Sequence, residues 1–362
     1  MKFLETYKDK KVLVTGHTGF KGAWLTIWLK EIGAEVIGYS LDPLYDNGVY
    51  ALSGIQNHIT DKRGDLRDFD SLLEVFQSEK PEIVFHLGAQ ALVIDGYKTP
   101  LETFQTNTMG TANVLEAIRL TDSVKTAIMV TTDKVYENKE WIWPYREDET
   151  IGGYDPYSAS KGACEIVISS YRNSFFNTKS YEEHGKSIAS VRAGNVIGGG
   201  DWCDNRIIPD CIRSIQKGQD IEVRSPKSVR PWQHVLEPIG GYLYLGVKLM
   251  EEPLKYAEAW NFGPEHENII TVSELVTKLI NSYGEGNWKD VSDAKKLHEA
   301  TLLSLDINKA KTYLGWNPVL GINETIDYTT HWYKNYLTSD VLKLTKEQIK
   351  NYVDAWRLKS EN

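Results

Sequence analysis

Residues 10–40 read KKVLVTGHTGFKGAWLTIWLKEIGAEVIGYS, and this stretch decides the fold class. KKVLVT is a short apolar, β-branched run that predicts a strand. GAWLTIWLKEIG has helical spacing and a terminal glycine, and AEVIGYS predicts a second strand. Between the first strand and the helix lies TGHTGFKG, with Gly16, Gly19 and Gly22 spaced as GxxGxxG. Glycines let the backbone turn sharply and approach a pyrophosphate closely, and a helix N-terminus adds N–H groups and the positive end of a dipole. A glycine turn can also be a plain connection. The strand before it and the helix after it favour a dinucleotide site.

The same rhythm continues outward. EIVFHLGA, TAIMVTT and SIASVRAG predict further strands, and NTMGTANVLEAIRL and SASKGACEIVISSYRNSF predict the helices between them. Parallel strands need crossover helices, so this alternation predicts an α/β fold, a Rossmann-like doubly wound parallel sheet with helices on both faces. After Gly194 the pattern loosens into stretches rich in Gly, Pro, Trp and Arg with shorter helices. We therefore expect a dinucleotide-binding domain over residues 1–194, its sheet completed by a later strand near 258–263. Residues 195–362 should form mainly a smaller C-terminal α/β substrate-binding lobe and a helical tail.

Composition narrows the function classes. The chain has 362 residues, 41% hydrophobic and 25% charged, enough for a main core and a second lobe. A net charge of -9 with no run of basic residues argues against a nucleic-acid partner. Three cysteines without CxxC spacing argue against a disulfide framework or a metal site. The polar start and the lack of a long apolar run predict no signal peptide and no membrane partner, hence a cytoplasmic protein.

Where TAIMVTT ends, Asp133 and Lys134 follow directly on Thr132. Neighbouring side chains on a regular strand point to opposite faces, so the pair can serve one site only if the strand has stopped by Thr132. Further on, YSASK places Tyr157 and Lys161 at i and i+4, on one face of a helix. The ammonium then favours the phenolate, and such a tyrosine takes a proton from a hydroxyl. Spacing alone is weak, because YxxxK is common by chance; the preceding glycine turn and the Thr-Thr-Asp strand end carry the weight. Asp65, in RGDLRD after a third strand, can accept from an adenine amino group, with a solvated turn aspartate as the alternative. The second strand ends at Ser40 and its nearest acid is Asp42, so NAD against NADP stays open locally. Lys21 and His17 would tolerate an extra phosphate.

Longer motifs go further: GHTGFKG, GDLRD, HLGAQ, TNTMGT, TTDKVYENKEW, YSASK, GNVIGGGDW, IIPD and RPWQHVLEP. On these the chain resembles the extended short-chain dehydrogenases/reductases, and within them the CDP-glucose 4,6-dehydratases, over nearly its whole length. The resemblance implies NAD as cofactor and CDP-D-glucose as substrate. It implies CDP-4-dehydro-6-deoxy-D-glucose and water as products, in deoxysugar biosynthesis for lipopolysaccharide O-antigen. It further implies a homodimer, or a tetramer, paired through the helices after the fourth and fifth strands. On the cofactor side it implies Gly16, His17, Gly19, Phe20, Lys21 and Gly22 of the turn. Ser40, Asp65, Leu66, Leu87 and Ala89 from later strand ends would join them, with Tyr157 and Lys161 at the nicotinamide ribose.

By the same resemblance, Thr132 orients the sugar C4 hydroxyl, Tyr157 removes its proton and Asp133 protonates the departing C6 hydroxyl. The related dTDP-glucose dehydratases read Thr-Asp-Glu where this chain reads Thr132-Asp133-Lys134, so the C5 base changes type. Lys134 fills that role only when neutral; a solvent-facing lysine paired with Glu137 is the alternative. Asn195, Arg206 and Arg230 are candidates for the substrate phosphates, since amide and guanidinium donors match phosphate oxygens. One departure stands out: after HLGAQ the family pattern has Leu-Val-Arg, whereas this chain has Ile94 in place of the arginine. Another nucleotide-sugar 4,6-dehydratase, a 4-epimerase and a non-catalytic dinucleotide sensor compete with this reading. An epimerase needs no acid at C6, and a sensor needs neither Tyr157 nor Asp133.

Overall fold

A computed structural model describes residues 2–292 and 302–361 of the chain. The segment 293–301, assigned above to the second lobe, and Asn362 at the end of the tail lie outside the described residues. The first strand, β1 (Lys11–Thr15), runs through the glycine turn into α1 (Phe20–Glu31) and on to β2 (Glu35–Ser40). Then follow β3 (Thr60–Arg63), α2 (Phe69–Glu79), β4 (Ile83–His86), α3 (Gly110–Arg119) and β5 (Thr126–Val130). After these come α4 (Pro156–Ser174), β6 (Ser187–Arg192), α5 (Leu236–Glu251), β7 (Ala259–Asn261) and the C-terminal α6 (Val341–Glu361).

All seven strands pair parallel in the order β7-β6-β5-β4-β1-β2-β3. The order reverses between β1 and β4, and the crevice at the strands' carboxyl ends there is where doubly wound sheets bind ligands. Burial explains the sequence pattern. Every residue of β4, β5 and β6 is buried, so these strands read as continuous apolar or small runs rather than as alternation. Helix α1 is buried over Gly22–Leu29, because α6 lies on its outer side, where Trp28 meets Tyr352 edge to face at 5.7 Å. Helix α5 covers the same side of the sheet, tied to the chain start by the Tyr7 hydroxyl, which donates to the Leu243 carbonyl at 2.7 Å.

Two element boundaries differ from the sequence expectation. The helix expected over residues 107–120 starts at Gly110, because Gln105–Met109 forms a wider π-type turn after a short helix at Pro100–Phe104. The carbonyl of Asn107 in that turn accepts from Cys164 Sγ on α4 at 3.2 Å, outside the helical ladder. Strand β5 stops at Val130, two residues before Thr132.

The segments after β6 also contain the helices Ile207–Gln216, Val272–Tyr283 and Ile322–Asn335 and three two-stranded pairs. Trp202 and Trp232 are buried, and Trp202 packs edge-on against Tyr333 at 5.3 Å. The three cysteines are free. Among the described residues no helix is long and apolar enough to cross a membrane, and no cluster of His, Cys, Asp or Glu could hold a metal ion.

Candidate active site

At the sheet's switch point the glycine turn has no room for a side chain at Gly16 or Gly22. Gly16 lies at φ +74°, and a Cβ there would meet the Gly88 nitrogen at 2.6 Å; a Cβ on Gly22 would meet the Gly16 carbonyl oxygen at 2.0 Å. The turn is thus pressed against the end of β4, which contributes Leu87, Gly88 and Ala89, and Leu87 N–H donates to the Thr15 carbonyl at 3.1 Å. The N-cap of α1 is Gly19, with no side-chain cap, and Phe20 begins the helix. Its first N–H groups therefore lack the usual side-chain partner and face the crevice at the strand ends.

The ends of β2 and β3 are crowded with partners. His17 is buried and bonded to Asp61 at 2.9 Å, and burial lowers its pKa despite that carboxylate. Its ring lies where a Cβ on Gly38 would sit, 2.4 Å from Cδ2, so it packs on β2 instead of reaching toward a phosphate. Ser40 Oγ and Thr18 Oγ1 are 2.9 Å apart. Asp42 is engaged by Arg63 at 3.1 Å. Asp65 is held by Arg67, whose guanidinium bonds it at 2.6 Å and lowers its pKa. Leu66 is fixed by Asn113, which donates to its carbonyl at 2.8 Å.

Beyond β5 the chain turns at once. Thr132 is the extended N-cap of a one-turn 3₁₀ helix, Asp133–Val135, so Asp133 and Lys134 have left the strand when they meet the site. Asp133 is buried; Thr132 Oγ1 donates to its Oδ1 at 2.8 Å and Asn195 Nδ2 to its Oδ2 at 3.2 Å. Gly194 makes this approach possible, since a Cβ there would fall 1.9 Å from Asp133 Oδ2. Lys134 is partly exposed, and among the described residues it makes no ion pair with Glu137 or any other acid.

Tyr157 and Lys161 lie on α4, whose start is set by Pro156 at the first helical position and by Asp155 accepting from Ser158 N–H at 3.0 Å. Both side chains are buried. Burial pushes the Tyr157 phenol up to about 12, opposed by the Thr132 hydroxyl; Asp133 adds to the rise and Arg206 counters it. Lys161 Nζ donates to the Val130 carbonyl at 3.1 Å, at the last residue of β5, and burial lowers its pKa. Lys161 lies one helical turn beyond Tyr157 on α4, with its ammonium bonded to the end of β5, while the Thr132 hydroxyl and Arg206 work against the rise of the Tyr157 pKa.

Arg206, expected at the substrate phosphates, bonds Asp201 at 2.9 Å; burial works against its charge, but the Asp201 carboxylate outweighs that. Lys21 is turned inward from the start of α1. Burial first, then Lys161 and Arg206, bring its pKa down to about 8 against the pull of Asp133. Lys21, Lys161, Arg206, Asp133 and Tyr157 thus form one electrostatic neighbourhood. Arg230 stands apart on the strand Val229–Pro231, where its Nη1 donates to the Val229 carbonyl at 2.9 Å. Ile94 lies on the short helix Val93–Lys98 and is partly exposed.

Sequence reasoning missed two supports of this centre. Asn107 of the π turn donates to Ser160 Oγ at 2.9 Å and to the Gln90 carbonyl at 3.0 Å, locking α4 to the loop after β4. Glu165, two turns beyond Tyr157, pairs with Arg192 at 2.9 Å; it also accepts from Thr131 and from Ser190. Arg192 in turn donates to the Tyr136 hydroxyl at 2.7 Å, so one buried ion pair grips both ends of the Thr132–Lys134 turn. The only sequence signal was an acid eight residues after Tyr157, on the same helical face.

Comparison with known proteins adds three findings. The profile of the GDP-mannose 4,6 dehydratase family matches residues 13–329. A CDP-glucose 4,6-dehydratase of Salmonella typhimurium is 46% identical over 96% of this chain and 98% of its own. Among solved structures, a UDP-glucose 4-epimerase of Thermotoga maritima with UDP-glucose superposes with a TM-score of 0.77 at 24% identity, covering 90% of this chain and 99% of that one. A dTDP-glucose 4,6-dehydratase of Bacillus anthracis in complex with NAD gives 0.73 at 20% identity, covering 92% and 99%. At these identities the two structures speak for the fold alone.

Proposed function

Because the chain belongs to the GDP-mannose 4,6 dehydratase family, we propose from its site that it is a CDP-D-glucose 4,6-dehydratase, an NAD-dependent hydro-lyase. The observation that carries this is the buried acid Asp133, held beside Tyr157 on a turn that has left the strand. A 4-epimerase has no use for an acid there.

NAD fits the residues present. The cradle has no room for a Cβ at Gly16 or Gly22, and α1 starts without a side-chain cap beside the switch point. When bound, NAD would supply the hydride chemistry for oxidation at C4 and reduction at C6. The chain's own groups handle the protons. Thr132 orients the C4 hydroxyl and Tyr157 takes its proton, giving a C4 ketone that acidifies C5. Lys134, as the neutral amine, takes the C5 proton, and Asp133, as the protonated acid, gives its proton to the C6 oxygen as the C6–O bond breaks and water leaves. Lys161, whose ammonium is fixed to the end of β5, would hold the nicotinamide ribose, as the resemblance implies.

The remaining assignments rest on resemblance. Residues 1–194 with β7 hold the cofactor; the later segments, apart from α5 and α6 against the sheet, hold the nucleotide sugar, with Arg230, Arg206 and Asn195 toward its phosphates. The enzyme works in the cytoplasm in deoxysugar biosynthesis for O-antigen, as a homodimer. Exposed apolar side chains on the helices around α3 and α4 support that pairing, Leu101, Phe104, Met109 and Ile166 among them. The deciding experiment incubates purified protein and NAD with CDP-, dTDP-, UDP- and GDP-glucose and assays for a 4-keto product. Product from CDP-glucose without stoichiometric reduced cofactor is expected. Net reduced cofactor would instead mark a simple dehydrogenase.

A further inference from the structure

Arg63 ends β3 and is the register partner of Ser40, which ends β2. Ser40 Oγ lies 2.9 Å from Thr18 Oγ1 of the glycine turn, so the turn and both strand ends converge at this level. In doubly wound sheets the carboxyl end of β2 meets the ribose of the adenosine half. There an acid binds a free 2′-hydroxyl, and an arginine accepts a 2′-phosphate. This chain places both kinds of group at that end. Arg63 Nε bonds the Asp42 carboxylate at 3.1 Å, and its Nη2 donates to Asp61 at 3.0 Å and to the Tyr50 hydroxyl at 2.6 Å. Its Nη1 faces His17 Nε2 at 3.4 Å, and the guanidinium lies over the Tyr50 ring, 5.1 Å from the centroid.

Asp61 is the centre of this cluster, bonded to His17, Tyr50 and Arg63 at once. The guanidinium is therefore engaged by the protein's own acids. Asp42 and Asp61 against Arg63 leave the cluster net negative, and buried His17, whose pKa is lowered, adds no positive charge. A 2′-phosphate brings close to two further negative charges and must draw Arg63 away from both acids before it is bound. A 2′-hydroxyl brings no charge, and the Asp42 side chain, 89% exposed, is free to accept from it on its open side. We propose that Asp61 and Asp42 make the enzyme select NAD over NADP by sequestering Arg63, which is a masked 2′-phosphate site. This inference rests on the reading of the glycine turn as a dinucleotide cradle.

Purified protein is titrated with NADH and with NADPH, and binding is followed by nicotinamide fluorescence, which reports affinity without turnover. Wild type should bind NADH about 10-fold more tightly than NADPH, or better. In Asp61→Asn that ratio should shrink by about 10-fold. In Asp42→Asn, whose ion pair is more exposed, it should shrink by roughly 3-fold, and in the double variant by more than in either single one. Adding Arg63→Met to the double variant should abolish the gain in NADPH affinity, because the guanidinium fork is what binds the phosphate. Equal wild-type affinities, a ratio unchanged in the aspartate variants, or a gain that survives Arg63→Met each overturn the proposal. Should Asp61→Asn fail to fold, exposed Asp42→Asn with and without Arg63→Met decides in the same way. Failure of the underlying reading looks different: wild type would bind neither dinucleotide.

Discussion

Asn195 Nδ2 donates to Asp133 Oδ2 at 3.2 Å, so a residue just past β6 holds the carboxylate at the turn after β5. Asn195 does this from φ +51°, the left-handed region that asparagine tolerates better than most residues. Its backbone carbonyl accepts from Gln233 N–H at 3.2 Å, which anchors the conformation.

The first prediction follows from that contact. Asn195→Ala should lower kcat by about 10-fold, because Asp133 loses the hydrogen bond that positions it, and reduced nicotinamide should accumulate on rapid mixing. A rise in KM at constant kcat would assign Asn195 to phosphate binding alone.

Tyr157 and the Asp133–Lys134 turn should fail at different stages. Tyr157→Phe removes the base for the C4 hydroxyl, so enzyme-bound reduced nicotinamide should not build up. Asp133→Asn and Lys134→Met leave oxidation in place and slow the departure of water by roughly 10²–10⁴-fold, so its absorbance should rise and persist in stopped flow. Normal turnover by Lys134→Met would remove the lysine from the mechanism.

The Glu165–Arg192 pair should matter for stability as well as for position. Both side chains are buried, and Glu165→Ala strands the guanidinium, so urea unfolding should show a loss of about 3–5 kcal/mol. Glu165→Gln keeps an acceptor for Thr131 and Arg192 and should lose less. Equal stability of the alanine variant and wild type would contradict the role given to this pair.

A pH dependence should arise far from the chemistry, at Glu237 on α5. Its carboxylate accepts the Val319 N–H at 2.8 Å and the Tyr352 hydroxyl at 2.9 Å, and burial raises its pKa from 4.5 to about 7. A carboxyl that holds its proton more tightly when folded contributes stability fully present below pH 4.5 and lost as pH rises through 7. Relative to Glu237→Gln, wild type should lose about 3 kcal/mol across that window in denaturant titrations. Parallel pH profiles of the two proteins would refute it.

The βαβ start, the glycine turn at Gly16–Gly22, the Tyr157–Lys161 pair and the strand end at Thr132–Asp133 could all be read from sequence, because each depends on geometry within a few residues. Strand and helix periods, φ > 0 at a glycine and the i, i+4 spacing are local rules, and the tertiary structure had little freedom to change them. Partner choice was not local. That Arg206 bonds Asp201, that His17 packs on β2 and that Asn195 holds Asp133 follow from how distant segments meet. So do the π turn at Asn107 and the grip of Glu165 and Arg192. The physical reason is burial: once α4, the β5 turn and the segment after β6 close over the same space, each polar group left without water must bond whichever group the packing brings within about 3 Å. The order of residues along the chain does not contain that distance.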